Sequence, residues 1–413
     1  MFQRKLKAGY FALEWLNIYA TAYYGNYIFF LMRVEHGFSN RENLAMAALG
    51  ASVYAVASWL AGKFAQRRGY FVALRIGFSS MAVILAAGLL ANTPLAHYAV
   101  ILCWNIAMCF TWPVLEALVS EGEDRKGLAA MIGIYNVVWA SGAAVAYFSG
   151  GALLETLGHK SLFWLPAALH AAQLAIALGL QSMAEHGAST VLRSDGAVPG
   201  AGGTAYPSTP IDPHDIHVPL ERKKAFLRLA WIANPFAYIA MNTVIPLIPD
   251  VAARLHLTTT LAGFVCSVWM FARLIAFFCL WRWPGWHYRF GWLVGAFVAM
   301  IGCFAALLLV ENLAVVVIAQ FIFGLAVGLI YYSSLFYAMD VGETKGEHGG
   351  AHEALIGVGL FAGPAIGTAA LYAFPAIPRA GILTVGVVLS VGLLIVLRTG
   401  RGSGQPLARK SLS

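Results

Sequence analysis

Charge is what this 413-residue sequence has least of: Asp, Glu, Lys and Arg make up 11% of it, against 60% hydrophobic residues. A soluble domain carries about a quarter charged residues, so with a mean hydropathy of +0.72 a water-soluble globular fold is excluded. Cysteine is scarce as well. Cys103, Cys109, Cys266, Cys279 and Cys303 all fall inside apolar runs with no paired or ligand-type spacing, which excludes a disulfide framework and a cysteine metal centre. No G-x-x-x-x-G-K-[ST] segment occurs, so no ATP hydrolysis is expected within this chain, and no cofactor is expected. Short alternating segments of the kind that build membrane barrels are also missing. The opening "MFQRKLKAGYFALEWLNIYA" turns apolar without a small-residue cleavage site and runs on to Met32, which predicts a retained first span rather than a cleaved signal.

What fills the chain instead is a succession of apolar runs near 20 residues, the length that crosses a bilayer as helix. They lie near 10–32, 44–64, 71–91, 97–119, 128–150 and 161–182, then 225–249, 259–281, 290–310, 313–339, 351–374 and 380–398. The expected fold is an all-α integral membrane protein, with about twelve transmembrane helices as two pseudo-symmetric six-helix bundles. The bundles cover 1–182 and 225–398, followed by a cytoplasmic tail at 399–413. Between them, 183–224 contains "GAVPGAGGTAYPSTPIDPHD", which has too little apolar surface for a core and reads as a flexible cytoplasmic linker. With both termini placed in the cytoplasm, roughly nineteen of the 27 Lys and Arg fall in inner segments. The net charge of +8 therefore reflects topology in a lipid bilayer and not nucleic-acid binding. The expected setting is a bacterial inner (plasma) membrane.

The halves repeat. A shift of 216 (229 minus 13) places Leu13, Trp15, Asn26 and Leu31 on Leu229, Trp231, Asn242 and Leu247, and a shift of 215 places Ser52, Val53, Ala57 and Arg67 on Ser267, Val268, Ala272 and Arg282. Near-constant offsets point to a parallel duplication. After the second span the chain reads Gly62-Lys63-Phe64-Ala65-Gln66-Arg67-Arg68-Gly69. This segment, the duplication and the central linker resemble the major facilitator superfamily of secondary transporters, whose loop has the form G-x-L-A-D-R-x-G-R-R. Gln66 stands where the family has Asp, so the ion pair which that Asp makes is not expected here. The resemblance implies that Gly62, Gln66, Arg67, Arg68 and Gly69 belong to a cytoplasmic gate, with Asp124 and Arg125 after the fourth span. His352 and Glu353, in "GETKGEHGGAHEAL", are gate candidates too. The i, i+4 histidines His348 and His352 superficially match a zinc face, but Gly349 and Gly350 between them weaken the helix such a site needs, and no metal is expected. Gly359, Gly363, Pro364 and Gly367 form a G-x-x-x-G-P pattern, which reads as close helix packing.

A charge inside a bilayer is costly, so each one marks a candidate site. Glu14 lies about one turn into the first span and Glu116 near the inner end of the fourth. Either could carry a coupled proton, because a carboxyl group shielded from water can exchange protons in the working pH range; a surface or gate ion pair is the alternative for each. Arg273 sits too deep in the eighth span to reach water, so something anionic should meet it: a carboxylate such as Glu14 or Glu116, or an acidic group of the cargo. The resemblance places a cargo cavity between the halves, and mapping polar and aromatic residues near mid-depth onto it implies Asn17, Tyr24, Asn105, Trp112, Asn136, Trp139, Asn234, Asn242, Trp269, Tyr331, Tyr332 and Ser333. The expected activity is secondary active transport of a small organic solute by alternating access, coupled to protons or another ion, by a monomer that is not an enzyme. A non-transporting receptor or scaffold on a transporter frame is the alternative.

Overall fold

The computed structural model describes residues 2–123, 125–195, 218–341 and 345–402, and those residues are helical with short connections and no strand. The first half consists of α1 (Phe2–His36), α2 (Asn40–Ser52), α3 (Tyr54–Arg68), α4 (Tyr70–Gly88), α5 (Pro94–Met108), α6 (Trp112–Ser120), α7 (Arg125–Leu157) and α8 (Ser161–Asp195). The second consists of α9 (Leu220–Arg254), α10 (Thr259–Cys266), α11 (Val268–Arg282), α12 (Phe290–Leu309), α13 (Leu313–Val341), α14 (Lys345–Ala373) and α15 (Ala380–Gly402). The pairs α2–α3, α5–α6 and α10–α11 are each one broken span. Among the described residues, eleven stretches are long and apolar enough to cross a membrane. The 35-residue α1 is the twelfth by length, and its polar residues lower its hydropathy.

The duplication is visible in the breaks. α2 gives way to α3 at Val53 and α10 to α11 at Ser267, nearly the same place in each repeat, and each lower segment is then 15 residues long. The fourth span breaks at Cys109–Thr111, where Pro113 opens α6, whereas its counterpart α13 is continuous. Helix starts follow side-chain chemistry: Ser39 and Glu42 form a reciprocal capping box on α2, and Thr93 and Thr258 cap α5 and α10. Gly69, at φ +101°, joins α3 directly to α4 in a conformation that side chains with a Cβ disfavour.

In lipid, helices are held by close packing more than by apolar burial. α1 packs on α7 and α8, α9 on α13 and α14, and α11 on α13. The halves meet where α2 packs on α14 and where α7 packs on α10 and α11. Gly359 and Gly363 let α14 press on α9, since a Cβ at either would strike the backbone at Pro235 or Ile239; the G-x-x-x-G-P pattern is therefore a packing surface. Outward, Val83, Leu90, Ile318 and Val387 form part of an exposed apolar surface of the kind a lipid-facing belt presents. The segment read as a linker is helical through residue 195 and again from Leu220; residues 196–217 lie outside the described residues.

Candidate functional site

A central cavity of about 270 Å³ lies between the two halves, lined by α1, α2, α3, α5, α6 and α7 from one side and α9, α11, α13 and α14 from the other. On α1 the lining residues are Ile18, Thr21, Ala22, Gly25, Asn26 and Phe29, one continuous face at about 100° per residue. On α7 the stripe is Tyr135, Trp139, Ala143 and Tyr147, and on α9 it includes Tyr238, Met241, Asn242, Ile245 and Pro246. Pro246 has no N–H to give the carbonyl of Asn242, and Pro364 likewise leaves that of Leu360 without its helical donor. All four residues line the cavity, so each proline removes a helical donor from a carbonyl of a lining residue.

Arg273 is the cation of the site. It is 2% exposed, and its guanidinium carbon stands 4.7 Å from the Trp139 ring centre, 5.0 Å from that of Tyr331 and 5.2 Å from that of Phe277. Its Nη1 reaches only the Met241 sulfur, at 3.6 Å. Nε and Nη2 have no acceptor, and no carboxylate pairs with Arg273 among the described residues. The expected internal pair with Glu14 or Glu116 is thus not formed; three aromatic faces hold the charge in place while the fork stays unfilled. Trp104, Trp112 and Trp269 line the same space with indole N–H groups that have no acceptor among the described residues. The cavity is therefore rich in donors. Acceptors come from Asn105 and Asn242, whose Nδ2 atoms each donate to the carbonyl four residues back at 2.9 Å, leaving the amide oxygens for a ligand.

Acidic groups come from the other half. Glu116 lines the cavity and has no ion pair among the described residues. Glu14 is fully buried, and neither carboxylate oxygen makes a hydrogen bond of normal geometry. Tyr135 of α7 and Glu116 of α6 are among its polar neighbours. Glu14 continues the α1 cavity face one turn beyond Ile18, toward the face of the protein that carries the termini.

Several mapped residues do not line the cavity. Asn17 and Tyr24 have its depth but the wrong phase on α1: Asn17 donates to Thr111 Oγ1 at 3.1 Å, and Tyr24 packs edge-on against Trp104 at 4.9 Å and near Phe163. Asn136, one residue past Tyr135, donates to the Ile132 carbonyl at 2.9 Å. Tyr332 packs on Phe277 and Trp286, and Ser333 bonds the Leu329 carbonyl at 2.7 Å. Asn234 is buried one turn below Tyr238, its amide without a partner among the described residues. Conversely, mapping by depth alone missed Asn26, Tyr135, Tyr147 and Tyr238. The spacing of Tyr135, Trp139 and Tyr147 by four and eight residues, with Ala143 between the last two, is the signal that marks the α7 stripe in the sequence. Tyr147 donates to Asn26 Oδ1 at 2.7 Å and meets Trp269 edge-on across the halves at 5.7 Å.

The two ends of the seam differ. On the face away from the termini, Arg33 of α1 pairs with Asp250 of α9 at 3.4 Å, Asp250 also holds Arg254 at 3.1 Å, and Thr260 donates to Glu155. Asn43 donates to the carbonyls of Phe29 and Pro246, one in each half, at 3.3 Å. On the termini face the ion pairs Lys7–Glu123 and Lys223–Asp340 stay within one half each. The gate candidates Gln66, Arg67, Arg68 and Gly69 are exposed there and Gly62 is half-buried, and neither Arg67 nor Arg68 has an ion pair among the described residues. Asp124 lies outside the described residues, as do the side chains of Arg125, His352 and Glu353. Among the described residues no group of His, Cys, Asp and Glu is arranged to hold a metal.

The profile of the Major Facilitator Superfamily matches residues 10–364. No curated protein matches the sequence. Solved structures share the architecture at low identity. A bacterial homologue of the human lysosomal transporter Spinster, inward-facing and unoccupied, has a TM-score of 0.68 at 14% identity, covering 98% of this chain and 99% of its own. A peptide transporter, POT, in complex with sulfate gives 0.70 at 15%, over 97% and 95%, and the nucleoside transporter NupG gives 0.66 at 14%, over 96% and 98%. With a profile spanning most of the chain, two repeated helical halves and a cavity at their seam, this protein belongs to the Major Facilitator Superfamily and is a membrane transporter, not an enzyme.

Proposed function

We propose that the protein is a proton-coupled carrier of a small organic anion with an apolar or aromatic body, acting as a monomer with cytoplasmic termini. The observation that carries this reading is the unfilled guanidinium of Arg273 in a cavity where three indole N–H groups also lack acceptors. Buried donors left unpaired cost free energy, and an acidic group satisfies them in one step, bidentate on the Arg fork. The aromatic walls suit a flat or greasy remainder. Glu14 is the proton carrier of this scheme: cut off from water, with Tyr135 and Glu116 at the cavity wall among its polar neighbours. One ion pair and several hydrogen bonds that cross the seam on the far face, against ion pairs that stay within each half on the termini face, support alternation, with the far side shut and the halves rocking about the site.

The test is flux in proteoliposomes. With an inward proton gradient, a panel of small aromatic carboxylates should include at least one that accumulates above its external concentration. Glu14→Gln should abolish accumulation while leaving exchange between equal pools. Wild-type accumulation in that variant would remove Glu14 from the scheme, and absence of flux for every anion under any imposed gradient would remove the cargo class.

A further inference from the structure

A second recess of about 890 Å³, larger than the central cavity, lies on the outside of the second half between α12, α13 and α15. It starts at the termini face, where α9 and α12 begin and α15 ends, and follows α12 inward from Phe290 to Ala299, ten residues spanning about 14 Å of helix. That is about half of the roughly 30 Å hydrocarbon thickness. α12 presents Gly291, Gly295, Ala296 and Ala299 to it. At both glycines nothing among the described residues lies within 4 Å of where a Cβ would stand, so the helix wall is hollowed there. The opposite wall is apolar, with Ile322, Leu325 and Leu329 of α13.

The rim is of a different kind. Arg222, Arg289 and Arg401 all stand at the mouth, and among the described residues no acidic side chain lines the recess. Arg222 is anchored by a bond to the Tyr288 carbonyl at 3.1 Å, whereas Arg289 and Arg401 are exposed and have no ion pair among the described residues. Trp292, 45% exposed and edge-on to Trp283 at 5.4 Å, sits beside them at the level where tryptophan marks a membrane interface. Gly400 is needed to keep this end of α15 against α12, since a Cβ there would strike the Phe290 ring.

We infer that this recess binds one anionic phospholipid of the leaflet on the termini side, with an acyl chain along the Gly291/Gly295 wall and the headgroup phosphate between Arg289 and Arg401. A soluble anion would use only the rim and leave the apolar walls open, and a zwitterionic lipid would fill the walls without matching three guanidinium groups. The combination selects an amphiphile with net negative charge, and the surrounding leaflet is its source. The site is separate from the central cavity and does not depend on the cargo assignment.

Native mass spectrometry of the purified full chain, titrated with phosphatidylglycerol or phosphatidylcholine of the same acyl chains, tests it. Wild type should retain one phosphatidylglycerol in preference to phosphatidylcholine. Arg289→Gln with Arg401→Gln should weaken that retention roughly 30-fold, a tenfold step or less per arginine. Gly295→Leu, which fills the wall and leaves every arginine in place, should remove retention of both lipids at this stoichiometry. Equal retention of the two lipids by wild type, or unchanged phosphatidylglycerol retention in the double arginine variant, would overturn the inference. So would loss in the arginine variant together with full retention in Gly295→Leu, because that pattern describes a headgroup resting on surface charge alone.

Discussion

The two halves share a frame and divide the charges. At the shift of 216 Glu14 corresponds to Ala230 and at 215 Arg273 corresponds to Ser58, while a shift of 220, which places Gly122 and Glu123 on Gly342 and Glu343, takes Glu116 to Phe336. The first half therefore brings acids to the seam and the second brings a base, and in this conformation they do not pair. A buried pair formed inside the protein would be satisfied at all times and would have little to gain from a ligand. On the proposed function, keeping opposite charges on opposite halves leaves each to respond to something that enters, a proton on one side and an anion on the other. The connections after the broken spans diverge too. In the first half Gly69 alone separates α3 from α4, whereas in the second Trp283–Arg289 fold into an aromatic plug with Trp286 fully buried and His287 stacked on Phe336 at 4.0 Å.

The largest effect should come from removing the base. Arg273→Ala is expected to lower anion affinity about 100-fold or more, read by binding titration of purified protein. Arg273→Lys should recover only part of it, because an ammonium lacks the planar fork. If Ala and wild type bind alike, the charge on the second half is structural. Next comes the choice between the acids. Glu14→Gln should uncouple accumulation from the proton gradient, and Glu116→Gln should leave coupling intact while changing apparent affinity several-fold. The reverse pattern would move the proton to the cavity wall and sharpen the comparison in Glu116's favour.

Much of this frame was legible before any coordinates. Span number, the position of the break between six and six, and the repeat offsets follow from apolar runs, Gly and Pro, and both broken second spans sit where the offset predicts. Arg273 and Glu14 stood out because charge is rare in a bilayer. Helical phase around the cavity was not read. Depth alone admits Asn17 and Tyr24, which sit roughly a quarter turn or more from the α1 lining face, and passes over Asn26, which lies on it. Nor does the sequence tell whether Arg273 meets a carboxylate or three rings, since that depends on how two halves more than a hundred residues apart dock.

Smaller effects probe the seam itself. A Cβ at Gly151 would strike the Thr259 backbone across the halves, so Gly151→Ala should hold the far face ajar. In a cysteine-free background with Phe29→Cys as reporter, labelling by an impermeant maleimide from that side should rise several-fold over the Gly151 parent; unchanged labelling would mean that the contact does not limit opening. The smallest effect concerns the plug. Burial holds the His287 imidazole down to about 4, with Asp340 opposing. The folded state keeps it neutral while the unfolded chain protonates, so the stability it contributes is lost as pH falls from about 6.5 toward 4. The melting temperature should decline across that window and decline less in His287→Gln; parallel curves for the two proteins would show that the plug does not titrate in this way.

The most direct test of divided charge is a matched pair of ligands. Tryptophan fluorescence titration should show an aromatic carboxylate that binds the wild-type protein far more tightly than its neutral amide analogue, with the preference lost in Arg273→Gln. Equal binding of acid and amide to wild type, or a preference that survives the substitution, would contradict the account.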